Sequence, residues 1–235
     1  MKKFFLLLIT VVFSASLFAQ SSGYIKYEVV DVITSNEELA PMVGMFKNTV
    51  QEIWFSENVQ RMDVEMMSGM SKVKTLMDMD KKEGFMLMDM MGRRVKINMS
   101  EEDLDFGNED DGTAAAMPDM KYTEFKDDTR DILGFKCHRV DTEIEQEGMK
   151  MTLTAYVTPK IKAPASVIEN VKNMPFTGTP LQFIISMPGM DISLDYKATD
   201  YKAEVSADAF NISSQGYQEM TMEEFQKSMG GMGGF

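Results

Sequence analysis

The chain has 235 residues, 44% of them hydrophobic, and 37 acidic side chains against 24 basic ones give a net charge of −13. That charge argues against nucleic acid and against anionic lipid surfaces as partners. One cysteine (Cys137) excludes an internal disulfide, and with one histidine (His138) it supplies too few ligands for a structural zinc site.

The first segment, "MKKFFLLLITVVFSASLFAQ", has the layout of an export signal. Lys2 and Lys3 precede the apolar run Phe4 to Phe13, and small residues follow up to a cleavage site after Ala19. The run is shorter than the roughly 20 apolar residues that span a bilayer. No second such run follows, so the mature chain is expected to be periplasmic or secreted, with no transmembrane segment. Loss of Lys2 and Lys3 deepens the charge to about −15.

From residue 20 to 228 the pattern fits one β-rich domain, and its dominant period is two. "GYIKYEVVDVIT" (23–34) is β-branched and aromatic, the composition of a strand. In residues 35–48 the period changes, and Leu39, Met42, Val43 and Phe46 fit one helical stripe whose start Pro41 leaves open, since proline is tolerated only in a first turn. Residues 49–57, with Trp54, return to strand. "RMDVEMM" (61–67) then sets Met62, Val64 and Met66 against Asp63 and Glu65.

The stretch "KTLMDMDKKEGFMLMDMMGRR" (74–94) holds six of the 25 methionines. A hairpin looped from Lys81 to Gly84 sets Met79 opposite Met86 and Met77 opposite Met88. Met77, Met79, Met86, Met88 and Met90 then line one surface, with Asp78, Asp80 and Asp89 behind it. Loops of three or five residues instead oppose the first pair to Phe85 and Leu87. Residues 100–120 are acidic, glycine-bearing and aperiodic, and read as a mobile solvated loop. Asn108, Asp110 and Gly112 miss the ligand spacing of a calcium loop.

"FKCHRVDTEIEQEGMKMTLTAYVTPKI" (135–161) reads as a hairpin about Gly148, with Met149, Met151, Leu153, Ala155 and Val157 on one face. A short helix is expected from Pro164 to Lys172. "LQFIISMPGMDISLDY" (181–196) reads as a hairpin on a two-residue Pro188-Gly189 turn. That turn pairs Met187 with Met190, Ile185 with Ile192, Phe183 with Leu194, and Leu181 with Tyr196. A last helix is expected from Thr221 to Met229 behind the capping box of Thr221 and Glu224. The glycine-rich tail 229–235 is expected to be flexible.

Three readings fit the methionine surface. Unbranched, polarizable methionine packs an ordinary core, and it also suits a pliable surface for apolar ligands. Thioether sulfur selects Cu(I) as well, although a single histidine and methionines spread along the whole chain weigh against a dedicated copper site. Catalysis has no constellation to rest on. Cys137 and His138 are adjacent, and adjacent strand residues face opposite ways, so they form no nucleophile–base pair. No phosphate loop and no G-x-S-x-G motif occurs.

Residues 132–161 carry one family likeness. Ile132 or Leu133, Gly134, Phe135, Cys137 and Arg139 match an "I-x-G-[YF]-x-C-x-[KR]" strand, and Tyr156, Val157 and Thr158 the aromatic strand that follows it. The segment resembles an exported bacterial domain-of-unknown-function family related to the LolA/LolB-like lipoprotein carriers. The resemblance implies a mainly β (α+β) fold: a strongly curved antiparallel sheet or half-barrel, LolA/LolB-like, with a few short covering helices. In the carriers that cavity holds lipid acyl chains, and Tyr156 stands where tryptophan is common.

Together these features point to a non-enzymatic exported protein. It is expected to bind lipid or another apolar ligand or partner through Met77, Met79, Met86, Met88 and Met90, with no cofactor and no catalytic or resident metal site. The alternatives are methionine-based Cu(I) binding and an envelope protein–protein interaction module without a small ligand.

Overall fold

The computed structural model describes residues 22–100, 121–146, 149–163, 178–221 and 223–225. The export segment, the acidic loop, the expected 164–172 helix, the Gly148 turn and the glycine tail lie outside them.

Twelve strands make one sheet: β1 (Gly23–Ile33), β2 (Val50–Phe55), β3 (Val59–Met66), β4 (Ser71–Asp78), β5 (Glu83–Met90), β6 (Arg93–Met99), β7 (Lys121–Ile132), β8 (Phe135–Gln146), β9 (Met149–Thr158), β10 (Thr179–Met187), β11 (Ile192–Lys202) and β12 (Gln218–Met220). Their order is β12-β6-β5-β4-β3-β2-β1-β11-β10-β9-β8-β7, so the described sheet is open, with β12 and β7 at its edges. Every pairing is antiparallel except β12 on β6, which is parallel. The expected β fold and its first strands stand where the period-two pattern puts them.

The sheet bends hard toward one face. Register shifts between Lys26 and Tyr27, between Val29 and Asp31, and between Pro180 and Gln182 kink the ladders flanking β1 and β10. Phe135 on β8 and Tyr201 on β11 stand three strand steps apart, roughly 14 Å in a flat sheet. Their ring centroids are 5.2 Å apart. Only a curved sheet closes that gap. The bend gathers Ile25, Tyr27, Ile53, Phe55, Val140, Leu153 and Phe183 into one buried cluster drawn from both halves of the strand order. Tyr27 is fully buried, and its hydroxyl donates to the Pro180 carbonyl at 2.7 Å, tying β1 to β10 across β11.

The helical stripe at 39–46 forms as a 3₁₀ turn (Glu37–Leu39) leading into α1 (Ala40–Phe46), with Pro41 in the first turn. Val43 and Phe46 pack on Val32, Ile192 and Leu194. The capping box also forms: the Glu224 amide donates to Thr221 Oγ1 at 3.1 Å, and the Thr221 amide to Glu224 Oε2 at 2.9 Å.

The β10–β11 hairpin departs from its expected register. Met187 pairs with Ile192, Ile185 with Leu194 and Phe183 with Tyr196. Pro188–Met190 take a 3₁₀ turn, and Asp191 closes it at φ 52°, so the loop holds four residues rather than two. Asp191 is retained for its side chain, which accepts from the Ser35 amide at 2.8 Å and the Ser35 hydroxyl at 2.6 Å. The shift is an even one, so Ile185, Met187, Ile192 and Leu194 keep their face.

The segment after β11 straps the reverse side of β3 to β6. Arg61 Nη1 donates to the Ala209 carbonyl at 2.6 Å, Arg94 lies 5.9 Å from the Tyr217 ring centroid, and Lys96 pairs with Glu219 at 2.8 Å.

Replacing Tyr27 with Phe leaves the buried Pro180 carbonyl without its donor. The Tyr27→Phe variant is expected to lose about 1–3 kcal/mol in urea unfolding. An unchanged midpoint would show that this bond does not hold the bend.

Candidate functional site

From β2 to β6 the ladders run without a bulge, so each cross-strand row is unambiguous. Ile53 pairs with Met62, Met62 with Thr75, Thr75 with Met86, and Met86 with Ile97. The next row runs Gln51, Val64, Val73, Met88 and Val95. Both rows continue onto Ile25 and Tyr27 of the core cluster, which places the methionines on the inner face of the bend.

The β4–β5 register differs from the expected one. Met77 stands opposite Gly84, Thr75 opposite Met86, Val73 opposite Met88 and Ser71 opposite Met90. The pairs Met79–Met86 and Met77–Met88 do not form. The loop is Met79 to Lys82, two residues earlier than expected, and Lys82 sits at φ 52°. Asp78 sets it there: its carboxylate accepts from the Lys81 amide at 3.1 Å and pairs with the Lys81 ammonium at 2.7 Å. Those two contacts hold the Asp78 carboxyl below its ordinary range. Gly84 completes the arrangement, since a Cβ there would lie 2.5 Å from the Leu76 carbonyl.

The shift is again even, so Met77, Met86, Met88 and Met90 share one face as expected. Met77, Met86 and Met88 are half-buried, and Met90 at the end of the strand is 44% exposed. Met79 lies in the loop, 55% exposed, with its amide on the Asn58 carbonyl at 2.8 Å, and it does not join the others. Met62, Val64, Met66, Val73 and Met99 join the face although none was singled out as a site residue. The alternation in "RMDVEMM" and in Val73-Thr75-Met77 already carried that signal.

Leu87 is the one buried side chain of β5. On the reverse between Lys74 and Lys96, it is 1% exposed. Its neighbours Met86 and Met88 on the inner face are only half covered, as are Val64 and Val73. The inner face therefore offers a partly open apolar surface lined by side chains that change rotamer at little cost. Gln51 Nε2 donates to Met62 Sδ at 3.0 Å, so a thioether already serves here as a hydrogen-bond acceptor.

The matched signature residues serve the fold. Leu133 and Gly134, at φ 52° and 80°, form the two-residue turn joining β7 to β8, a geometry glycine adopts without strain. Arg139 stands opposite Tyr156 and donates to both Asp141 oxygens, at 2.8 and 2.6 Å. Tyr156 lies under Arg130 at 3.9 Å and donates to Asp128 at 3.4 Å. Arg130 also donates to Gln182, whose amide donates to Asp195. Each of these groups has its partner, which suits a structural brace.

Cys137 is fully buried, and burial pushes its thiol up to about 11. His138 pairs in register with Thr129 and Val157. Among the described residues no three His, Cys, Asp or Glu side chains gather to hold a metal ion, and no helix is long and apolar enough to cross a membrane.

No family model matches this chain, and no curated protein matches it significantly. Among solved structures it is similar to PNGF-II at 10% identity and a TM-score of 0.45, covering 88% of this chain and 32% of that one. It thus spans about a third of PNGF-II. It is also similar to a Mycobacterium tuberculosis lipoprotein, LppX (9% identity, TM-score 0.40, 80% and 90% covered). A third likeness is to an outer membrane lipoprotein-sorting protein domain from Vibrio parahaemolyticus (8% identity, TM-score 0.34, 82% and 90% covered). At these scores the architecture rests on register and curvature, not on the likenesses.

The buried thiol is expected to resist a maleimide at pH 8 in the folded protein and to react fully in denaturant, read by intact mass. Rapid labelling under native conditions would show that the thiol is accessible. Gly84→Ala is expected to lower the melting temperature by several degrees, through clash with the Leu76 carbonyl; an unchanged melt would show that the close approach relaxes freely.

Proposed function

We propose that this is an exported, non-enzymatic protein that seats a lipid or other apolar ligand on the methionine-lined inner face of its bent sheet. One observation carries the reading. Along β5 the reverse residue Leu87 is buried, while Met86 and Met88 stay half open on a face continuous with the core. Apolar surface left uncovered on a concave wall is where a hydrophobic ligand gains most from leaving water. Met77, Met86, Met88 and Met90 form the seat, and Met79 stands at its turn end.

Export follows from the N-terminal signal layout, which also suits a protein that handles apolar molecules between membranes. The absence of a nucleophile–base pair fits binding rather than turnover, with Cys137 buried and protonated. Cu(I) is the weaker reading, because the two opposed methionine pairs that would have brought sulfurs together are replaced by Met77 on Gly84 and Thr75 on Met86.

The test is native mass spectrometry of the purified full chain, joined to fluorescence titration with diphenylhexatriene, a pure hydrocarbon. Co-purifying lipid and saturable probe binding are expected. Met88→Glu places a carboxylate on the apolar face and is expected to weaken the probe at least tenfold. Asn98→Glu on the exposed reverse side leaves it unchanged. No lipid and no probe binding, or equal effects of the two variants, would sink the proposal.

A further inference from the structure

The row of side chains crossing the middle of the methionine face runs Ile25, Ile53, Met62, Thr75, Met86 and Ile97. One member is polar. Thr75 is 5% exposed, and its Oγ1 has no hydrogen-bond partner. Its neighbours on the same face are Met62 and Met86 across the strands, and Val73 and Met77 along its own. A buried hydroxyl left unpaired is destabilising, and valine has the same shape without that cost. A strand built only for packing is better served by valine at this position. Flexible thioethers flank the hydroxyl on three sides, and a seated ligand can turn them aside by rotamer changes alone.

We infer that Thr75 is the polar anchor of the apolar seat, and that its hydroxyl donates to an uncharged acceptor such as an ester carbonyl of an acyl chain. This rests on the methionine face being a ligand seat. An uncharged acceptor is specified because the chain's net charge of −13 disfavours anionic ligands. An acyl ester satisfies both parts of the row: hydrocarbon for Met62, Met77 and Met86, and a carbonyl oxygen for Thr75.

The experiment compares the full chain with its Thr75→Val and Thr75→Ser variants, using diphenylhexatriene and a pyrene-labelled fatty-acid methyl ester. Thr75→Val is expected to bind the hydrocarbon unchanged and the ester three- to tenfold more weakly, the loss of one neutral hydrogen bond. Thr75→Ser is expected to stay within about twofold of the parent for both probes. Without ligand, Thr75→Val is expected to melt no lower than the parent. Equal binding of both probes by parent and Val variant removes the anchor but leaves the seat standing. Equal weakening of both probes, or a lower melt, assigns Thr75 to packing and overturns the inference. A parent that takes neither probe overturns the seat and the anchor together.

Discussion

Between Val50 and Met99 every strand side chain is committed to one of two faces by ladders without a bulge. Five consecutive strands keep their register over that whole length. Alternation with a period of two then leaves no freedom. Met62, Met66, Met77, Met86, Met88 and Met99 face inward, while Arg61, Asp63, Lys74, Asp89, Arg94 and Lys96 face the strap. The candidate seat, the burial of Leu87 on the reverse and the inward placing of the unpaired Thr75 hydroxyl all follow from that commitment.

The other half of the sheet behaves differently, and the difference makes the shape. Bulges flank β1 and interrupt the ladders of β10 and β7. They let the inner face fold over itself until Phe135 meets Tyr201 and Tyr27 reaches Pro180. A regular, rigid wall is thus joined to a bent one. The bent part brings Ile25, Tyr27, Val140, Ala155 and Phe183 into a buried cluster, whereas the regular part keeps Met77, Met86 and Met88 only half covered.

Methionine suits that half-covered wall for a physical reason. A β-branched residue there would be held to one rotamer by its strand, but an unbranched thioether rearranges around whatever is placed against it. The same position shows why copper is the weaker occupant. Directly opposed residues bring sulfurs closest, and here the partners of Met77 and Met86 across the β4–β5 ladder are Gly84 and Thr75. Asp78, through its contacts with Lys81, chose that register.

Much was legible beforehand because it depends on neighbours one to four residues away. The strands at 23–33, 59–66 and 149–158, the helical stripe of Leu39, Met42, Val43 and Phe46, the capping box of Thr221 and Glu224, and the sharing of one face by Met77, Met86, Met88 and Met90 are all local patterns. Both misplaced hairpins moved by an even step, so face assignments survived while partners changed. Turn chemistry at Asp78 and Asp191 selects the loop, and Asp191 is retained by a bond to Ser35, 156 residues away in sequence. What tertiary structure alone decided was coverage. Nothing in the local pattern around Leu87 says that it is almost wholly buried, or that the methionines opposite remain half open. Burial is a property of what comes back across a surface, and that return joins residues far apart along the chain.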